Sequence, residues 1–171
     1  MPYLARRHQL TNSLLYHIFN RGNARSQIFH NPDDYGRFIT ILSRYASKNN
    51  LHIYHWVLMP NHYHFIIREI GERGISKFMH RVGTAYTMSF NKKNERRGSL
   101  FQGRFKAKKV TSEGYLMYLT RYIHLNPLNY FQPDWKINGI KNWNEAEKFL
   151  SLYKWSSYLD YIGLKNFPSI L

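Results

Sequence analysis

The spacing of apolar positions changes period several times along the chain, and each change marks an element. Leu14 to Asn20 (LLYHIFN) is aromatic and β-branched and predicts a first strand, closed by the turn signal Arg21-Gly22-Asn23. Pro32-Asp33-Asp34 then predicts a helix start, because acidic residues suit the positive end of a helix. Phe38, Leu42, Tyr45 and Ala46 follow at helical spacing. Leu51 to Met59 and His62 to Arg68 read as strands, and Pro60-Asn61 between them makes a hairpin. Ile75, Phe78, Met79, Val82, Tyr86 and Phe90 mark a second amphipathic helix, followed by a polar, basic loop over 91–99. Phe101 to Val110 predicts a fourth strand with Gly103 as a bulge. Thr111 or Ser112 caps a third helix that carries Leu116, Leu119 and Ile123 on its buried face and ends before Pro127. A short helix near 144–153 closes the tail.

The order β-α-β-β-α-β followed by helices is the split motif of a ferredoxin-like antiparallel sheet, so the fold class is α+β. Residues 1–130 hold this motif and the third helix. Residues 131–171 form a C-terminal helical extension expected to pack on the same domain. The fold alone fixes no function.

Composition narrows the field. The chain has 171 residues, enough for one buried core, and 43% of them are hydrophobic. No window approaches the roughly 18 apolar residues of a membrane span. Residues 1–7 (MPYLARR) lack the apolar run of a signal peptide. Cysteine is absent, which excludes disulfides and thiolate metal sites. These features lead one to expect a soluble, cytoplasmic protein. The net charge of +15 and pI near 10.1 are the electrostatic footprint of a nucleic-acid binder. Aromatics at 17%, interleaved with the basic residues, suit single strands, where cations track phosphates and rings stack on bases. Charge does not separate DNA from RNA, nor exclude a basic protein with an ordinary aromatic core.

Three groups of residues could carry chemistry. His62 and His64 flank Tyr63 on a strand, so both imidazoles face one side, roughly 6.5–7 Å apart along the backbone, and can converge on a divalent ion. A His-x-His pair also arises on edge strands without function. Tyr122 and Asn126 lie one turn apart on the third helix, with Tyr115 and Tyr118 on the same flank. Tyr122 could reach a metal-bound phosphate while Asn126 supplies a carboxamide oxygen, a donor that suits Mg²⁺ or Mn²⁺. By spacing alone, the reading of the three tyrosines as core aromatics is clearly the stronger one. Arg104, Lys106 and Lys108 alternate with Phe105 and Ala107, giving a strand with one basic face, and Lys92, Lys93, Arg96 and Arg97 precede it. That alternation favours a phosphate-facing surface over a merely solvated one.

Five blocks resemble a known family. "FNRGN" (19–23) with "IF" (28–29), "MPNHYHFII" (59–67), "LFQGRFKAKKV" (100–110), "RYIHLNP" (121–127) and "KWSSY" (154–158) resemble, in order and over nearly the whole chain, the REP-associated tyrosine transposases. These are single-tyrosine HUH transposases of the insertion-sequence-200-like group. The resemblance implies a ferredoxin-like catalytic domain with a nucleophile helix beside the sheet. It implies His62 and His64 as metal ligands, Asn126 as the third, Tyr122 as nucleophile, and Mg or Mn as the metal. Arg21, Asn23, Gln102, Arg104 and Lys106 fall in blocks that would line the DNA path. The implied activity is nicking and rejoining of single-stranded DNA next to hairpins of REP-like palindromes, through a 5′-phosphotyrosine, by a monomer at the nucleoid. Two departures stand out. Tyr63 replaces the usual small aliphatic residue between the histidines, and Leu128-Asn129-Tyr130 stands where Val-Arg-Ala is common, removing one basic residue.

His124 is a poor base for Tyr122, since two residues along a helix put it on a different side. Three other readings stay open on sequence: a non-catalytic hairpin-binding protein derived from a transposase, an RNA-binding module using sheet aromatics, and a hydrolytic nuclease that leaves free 5′-phosphates.

Overall fold

The computed structural model describes residues 14–46, 48, 51–69, 74–167 and 170. The reading of residues 1–7 lies outside the described residues. Four strands, β1 (Leu15–Arg21), β2 (Leu51–Met59), β3 (His62–Glu69) and β4 (Lys106–Lys109), form one antiparallel sheet in the order β2-β3-β1-β4. With α1 (Pro32–Ala46) after β1 and α2 (Gly74–Lys93) after β3, this is the predicted ferredoxin-like arrangement.

Alternation along the strands sorts side chains onto two faces. On the first, Tyr16, Ile18, Ile53, Trp56, Tyr63, Phe65 and Ile67 join Phe38 and Leu42 of α1 and Phe78, Val82 and Tyr86 of α2 in the main core. Tyr63 is 2% exposed there, so the departure between the two histidines is absorbed by packing. An irregularity in pairing between Ile53 and His55 shifts the pattern on β2 and sends Val57 and Met59 to the second face. That face receives α3 (Glu113–Leu125), whose Leu119 and Ile123 pack on Val57, Met59 and Ile66. Ser112 caps α3 by accepting the Tyr115 N–H at 3.2 Å. Pro127 turns the chain into a single 3₁₀ turn over Asn126–Asn129.

The fourth strand is shorter than predicted. Only Lys106–Lys109 pairs with β1, and Phe101 forms an isolated bridge to Gly22. Between them Gly103 adopts φ +79°, which breaks the ladder and leaves Arg104 in a bend ahead of the strand. The turn after β1 is also glycine-dependent: a Cβ on Gly22 would meet the Ser26 carbonyl oxygen at 2.0 Å.

The extension contributes α4 (Trp135–Asn138), α5 (Trp143–Leu152) and α6 (Tyr158–Tyr161). Leu128, Ala146 and Leu150 form its own small core, with Leu125, Trp135 and Tyr158 against it. Residues 155–157 lie along the outer edge of β2: Leu58 N–H donates to the Trp155 carbonyl at 2.9 Å and Ser157 N–H to the Trp56 carbonyl at 3.0 Å. An otherwise open sheet edge is thereby paired. Trp155 stacks on Tyr35 of α1 at 4.6 Å. Among the described residues no helix is long and apolar enough to cross a membrane.

Candidate active site

The second face of the sheet carries more than the α3 contact. His62 and His64 of β3 stand opposite Arg21 and Phe19 of β1, and Lys106 and Lys108 of β4 stand opposite Phe19 and His17. Alternation therefore puts His17, Phe19, Arg21, His62, His64, Lys106 and Lys108 on one surface. α3 crosses this face so that Tyr122 and Asn126, one turn apart, come down on the histidines. The ring centroids of His62 and His64 are 5.1 Å apart, and those of His64 and Tyr122 are 5.3 Å apart. The Nε2 of His62 lies 3.3 Å from the Oδ1 of Asn126. The strand pair and the helix pair singled out in the sequence thus meet in one cluster.

A hydrogen-bond relay determines what faces what inside it. Asn61 Nδ2 donates to the Arg25 carbonyl at 3.4 Å, which leaves Asn61 Oδ1 to accept from His62 Nδ1 at 2.6 Å. A neutral His62 has one proton for two carboxamide oxygens, and the shorter contact at Nδ1 is the better place for it, which leaves a lone pair on Nε2. On the other side, the indole N–H of Trp135 donates to Asn129 Oδ1 at 3.1 Å, and Asn129 Nδ2 donates to Asn126 Oδ1 at 3.1 Å. The Asn126 oxygen is thus held toward His62. Two acceptors then face each other, an arrangement that wants a positive centre between them. A proton on His62 is disfavoured, because burial lowers its pKa, with Asn126 opposing and the Lys136 charge adding to the effect. Burial, and then His17, His62 and Lys136, hold His64 well below its ordinary value. Two neutral imidazoles and a carboxamide oxygen are a donor set that fits a divalent cation. Orientation of a ligand imidazole through its other nitrogen, as Asn61 does for His62, is the usual support for such a set. Among the described residues no group of three or more His, Cys, Asp or Glu side chains could hold a metal, and the cluster here has two histidines with a carboxamide.

His17 was not singled out in the sequence. Its Nε2 lies 2.9 Å from His64 Nδ1 and its ring stacks on His64 at 5.1 Å, so Nε2 of His64 is the nitrogen left for a ligand. Tyr122 is half-buried. Burial raises its pKa, an interaction with Asn126 opposes this, and Tyr118 adds to it. Tyr115 and Tyr118 continue from it as parallel rings at 6.2–6.3 Å, but Tyr118 is 60% exposed and lies away from the histidines. The core-aromatic reading fails for Tyr118, and of the three tyrosines it is Tyr122 whose ring meets His64 and His17.

The remaining sequence candidates divide. Arg21 donates to Gln102 through its guanidinium Nε, beside His62. Lys106 and Lys108 sit on the site face, while Arg104 and Asn23 are exposed in the flanking turns. Arg96 is occupied elsewhere: it donates to Asn91 Oδ1 at 3.2 Å and to the Ser99 carbonyl at 2.9 Å, bracing the turn after α2, where Arg97 is exposed. His124 lies against Ser157 and His55 rather than Tyr122.

A family profile described as "Transposase IS200 like" matches residues 10–126. No curated protein sequence gives a match. Among solved structures, a REP-associated tyrosine transposase bound to a REP hairpin is similar at a TM-score of 0.69 and 17% identity, over 98% of this chain and 89% of that one. A Deinococcus radiodurans protein described as a transposase is similar at a TM-score of 0.49 and 17% identity, over 70% of this chain and 95% of that one.

Proposed function

The chain belongs to the IS200-like transposase family, and we propose that it is a metal-dependent, single-tyrosine enzyme that nicks and rejoins single-stranded DNA beside a hairpin. The observation that carries this reading is the meeting of Tyr122 with His62, His64 and Asn126 at one point of the sheet face. His62 through Nε2, His64 through Nε2 and Asn126 through Oδ1 would hold Mg²⁺ or Mn²⁺. Bound there, the ion supplies charge stabilisation and orientation for a phosphate.

The residues of the chain do the rest. Tyr122 Oη attacks the phosphorus, the bond to the 3′-oxygen breaks, and a 5′-phosphotyrosine forms with release of a 3′-hydroxyl. The proton lost by the phenol is balanced by the one gained at the 3′-oxygen. The phosphodiester survives as a protein linkage, so a later 3′-hydroxyl can reverse the step without ATP. At neutral pH the phenol is protonated, and burial favours that form. Arg21, Gln102, Lys106 and Lys108 share or border the site face and are suited to guide the strand backbone. A hairpin as the flanking structure is supported by what the similar solved protein binds. Nucleophile and candidate ligands come from one chain, which supports a monomeric working unit.

The test is incubation with a library of single-stranded hairpins plus Mn²⁺ or Mg²⁺, followed by denaturing electrophoresis. The wild-type chain is expected to yield a denaturation-resistant protein–DNA adduct. Tyr122→Phe is expected to bind the same DNA and yield none. Nicking by Tyr122→Phe at the wild-type rate would remove Tyr122 from this role, and free 5′-phosphates without adduct would indicate hydrolysis instead.

A further inference from the structure

The sequence reading assigned nothing to Lys136, yet the structure sets it against the nucleophile. Its ammonium lies 4.8 Å from the centroid of the Tyr122 ring and 5.5 Å from that of Trp135. Its charge is also felt at both His62 and His64. Its position is not left to a loose side chain on a loop. Lys136 sits on α4, and α4 is tied to the site by the Trp135 indole, which bonds the same Asn129 that orients Asn126. One short helix of the extension thus sets both the third candidate ligand and this cation.

Among the described residues no ion pair holds this charge. The Lys93–Asp34 and Lys141–Asp134 pairs do not involve Lys136. The rings beside it are the Tyr122 phenol and the Trp135 indole, and the ionisable groups that feel its charge are the His62 and His64 imidazoles. A cation held against two ring faces, with no carboxylate ion-paired to it, is a place for an anion to bind. Next to a tyrosine that attacks a phosphodiester, that anion is the phosphate itself. We propose that Lys136 binds a non-bridging oxygen of the scissile phosphate and holds the phosphorus against Tyr122 Oη. The inference rests on the nucleophile reading of Tyr122. In the step, the Tyr122 Oη–P bond forms, the P–O3′ bond breaks with its electron pair on O3′, and O3′ gains a proton as the phenol loses one. Lys136 stays an ammonium throughout.

The experiment compares Lys136→Met, Lys136→Gln and Lys136→Arg in the full chain, with two readouts. The first is metal-free equilibrium binding of a hairpin oligonucleotide with a single-stranded flank, in a Tyr122→Phe background. Neutralising Lys136 is expected to weaken binding about tenfold at low salt and to lower the salt slope by about one, with arginine restoring both. The second is the rate of adduct formation at saturating DNA and Mn²⁺, expected to fall by roughly 10- to 100-fold for methionine and glutamine. Mn²⁺ affinity without DNA is expected to hold or rise, because a cation near the candidate ligands has been removed. Unchanged DNA affinity and salt slope would overturn the proposal. So would a parallel loss of Mn²⁺ affinity, which would make Lys136 a structural support. If the wild-type chain forms no adduct, the nucleophile reading fails on its own, and the binding arm still decides whether Lys136 contacts phosphate.

Discussion

Ser157 joins the extension to both the sheet and α3, and replacing it by alanine tests how that joint works. The side chain is fully buried. Its oxygen accepts the Trp56 N–H at 2.9 Å and lies 3.0 Å from His124 Nε2 and 3.3 Å from the Trp56 carbonyl oxygen. That carbonyl already accepts the Ser157 N–H at 3.0 Å, so the hydroxyl proton is best used on His124. Ser157→Ala therefore strands two buried groups, the Trp56 backbone donor on β2 and an imidazole acceptor on α3. At roughly 1–3 kcal/mol for each buried group left unsatisfied, the loss should come to about 2–5 kcal/mol. Urea unfolding followed by tryptophan fluorescence measures it. A double-mutant cycle with His124→Leu sharpens the test, because the leucine has no acceptor to strand. The two losses should then fall short of additivity by about 1–2 kcal/mol. A loss under about 0.5 kcal/mol, or full additivity, would refute the claim that the hydroxyl bridges β2 and α3.

Two further predictions concern stability. Burial holds His55 down to about 4, and burial together with the nearby His55 holds His124 down to about 3, against an ordinary value of 6.5. Both stay neutral in the folded chain after the unfolded chain has begun to bind protons. Their contribution is intact above about pH 6.5 and is lost as pH falls toward 4 and then 3. Urea midpoints should drop between pH 6.5 and 5, before carboxylates titrate, and His124→Gln should reduce that slope; a flat profile would contradict the burial. Leu119→Ala, at the contact of α3 with Val57, Met59 and Ile66, should cost about 2–4 kcal/mol by calorimetry. Because the same contact seats Tyr122, adduct yield should fall before global unfolding is reached.

The reach of the sequence followed the range of the interactions. Strand and helix periods depend on neighbours a few residues away, so the element order, the faces of β3 and α3, and a cap at Thr111 or Ser112 were legible in advance, the structure choosing Ser112. The end of β4 was misread because the basic–apolar alternation continues through Arg104, whereas Gly103 at φ +79° takes the backbone out of the ladder. Within the site, the His62–His64 and Tyr122–Asn126 pairs were readable as local geometry, and the family resemblance joined them. Their actual meeting spans 64 residues between His62 and Asn126 and depends on how α3 lies across the sheet. His17, 47 residues from His64, needed the β1–β3 register before it could be placed.

The extension was the least legible part. "KWSSY" stood out as a block, but not that Ser157 would serve as the partner of Trp56 and His124. Nothing in the spacing of Trp135-Lys136 pointed to Tyr122, because α4 has four residues and no periodic face to read. By itself the sequence determined which residues share a face, that the chain is strongly basic, and which family it resembles, since these depend on local stereochemistry, summed charge and residue order. Only the tertiary structure decided that His62 Nε2 and Asn126 Oδ1 confront one another and that Lys136 stands over Tyr122. Those contacts are set by the docking of separately formed elements, where a rotation of α3 or α4 by one residue would carry a side chain to another face.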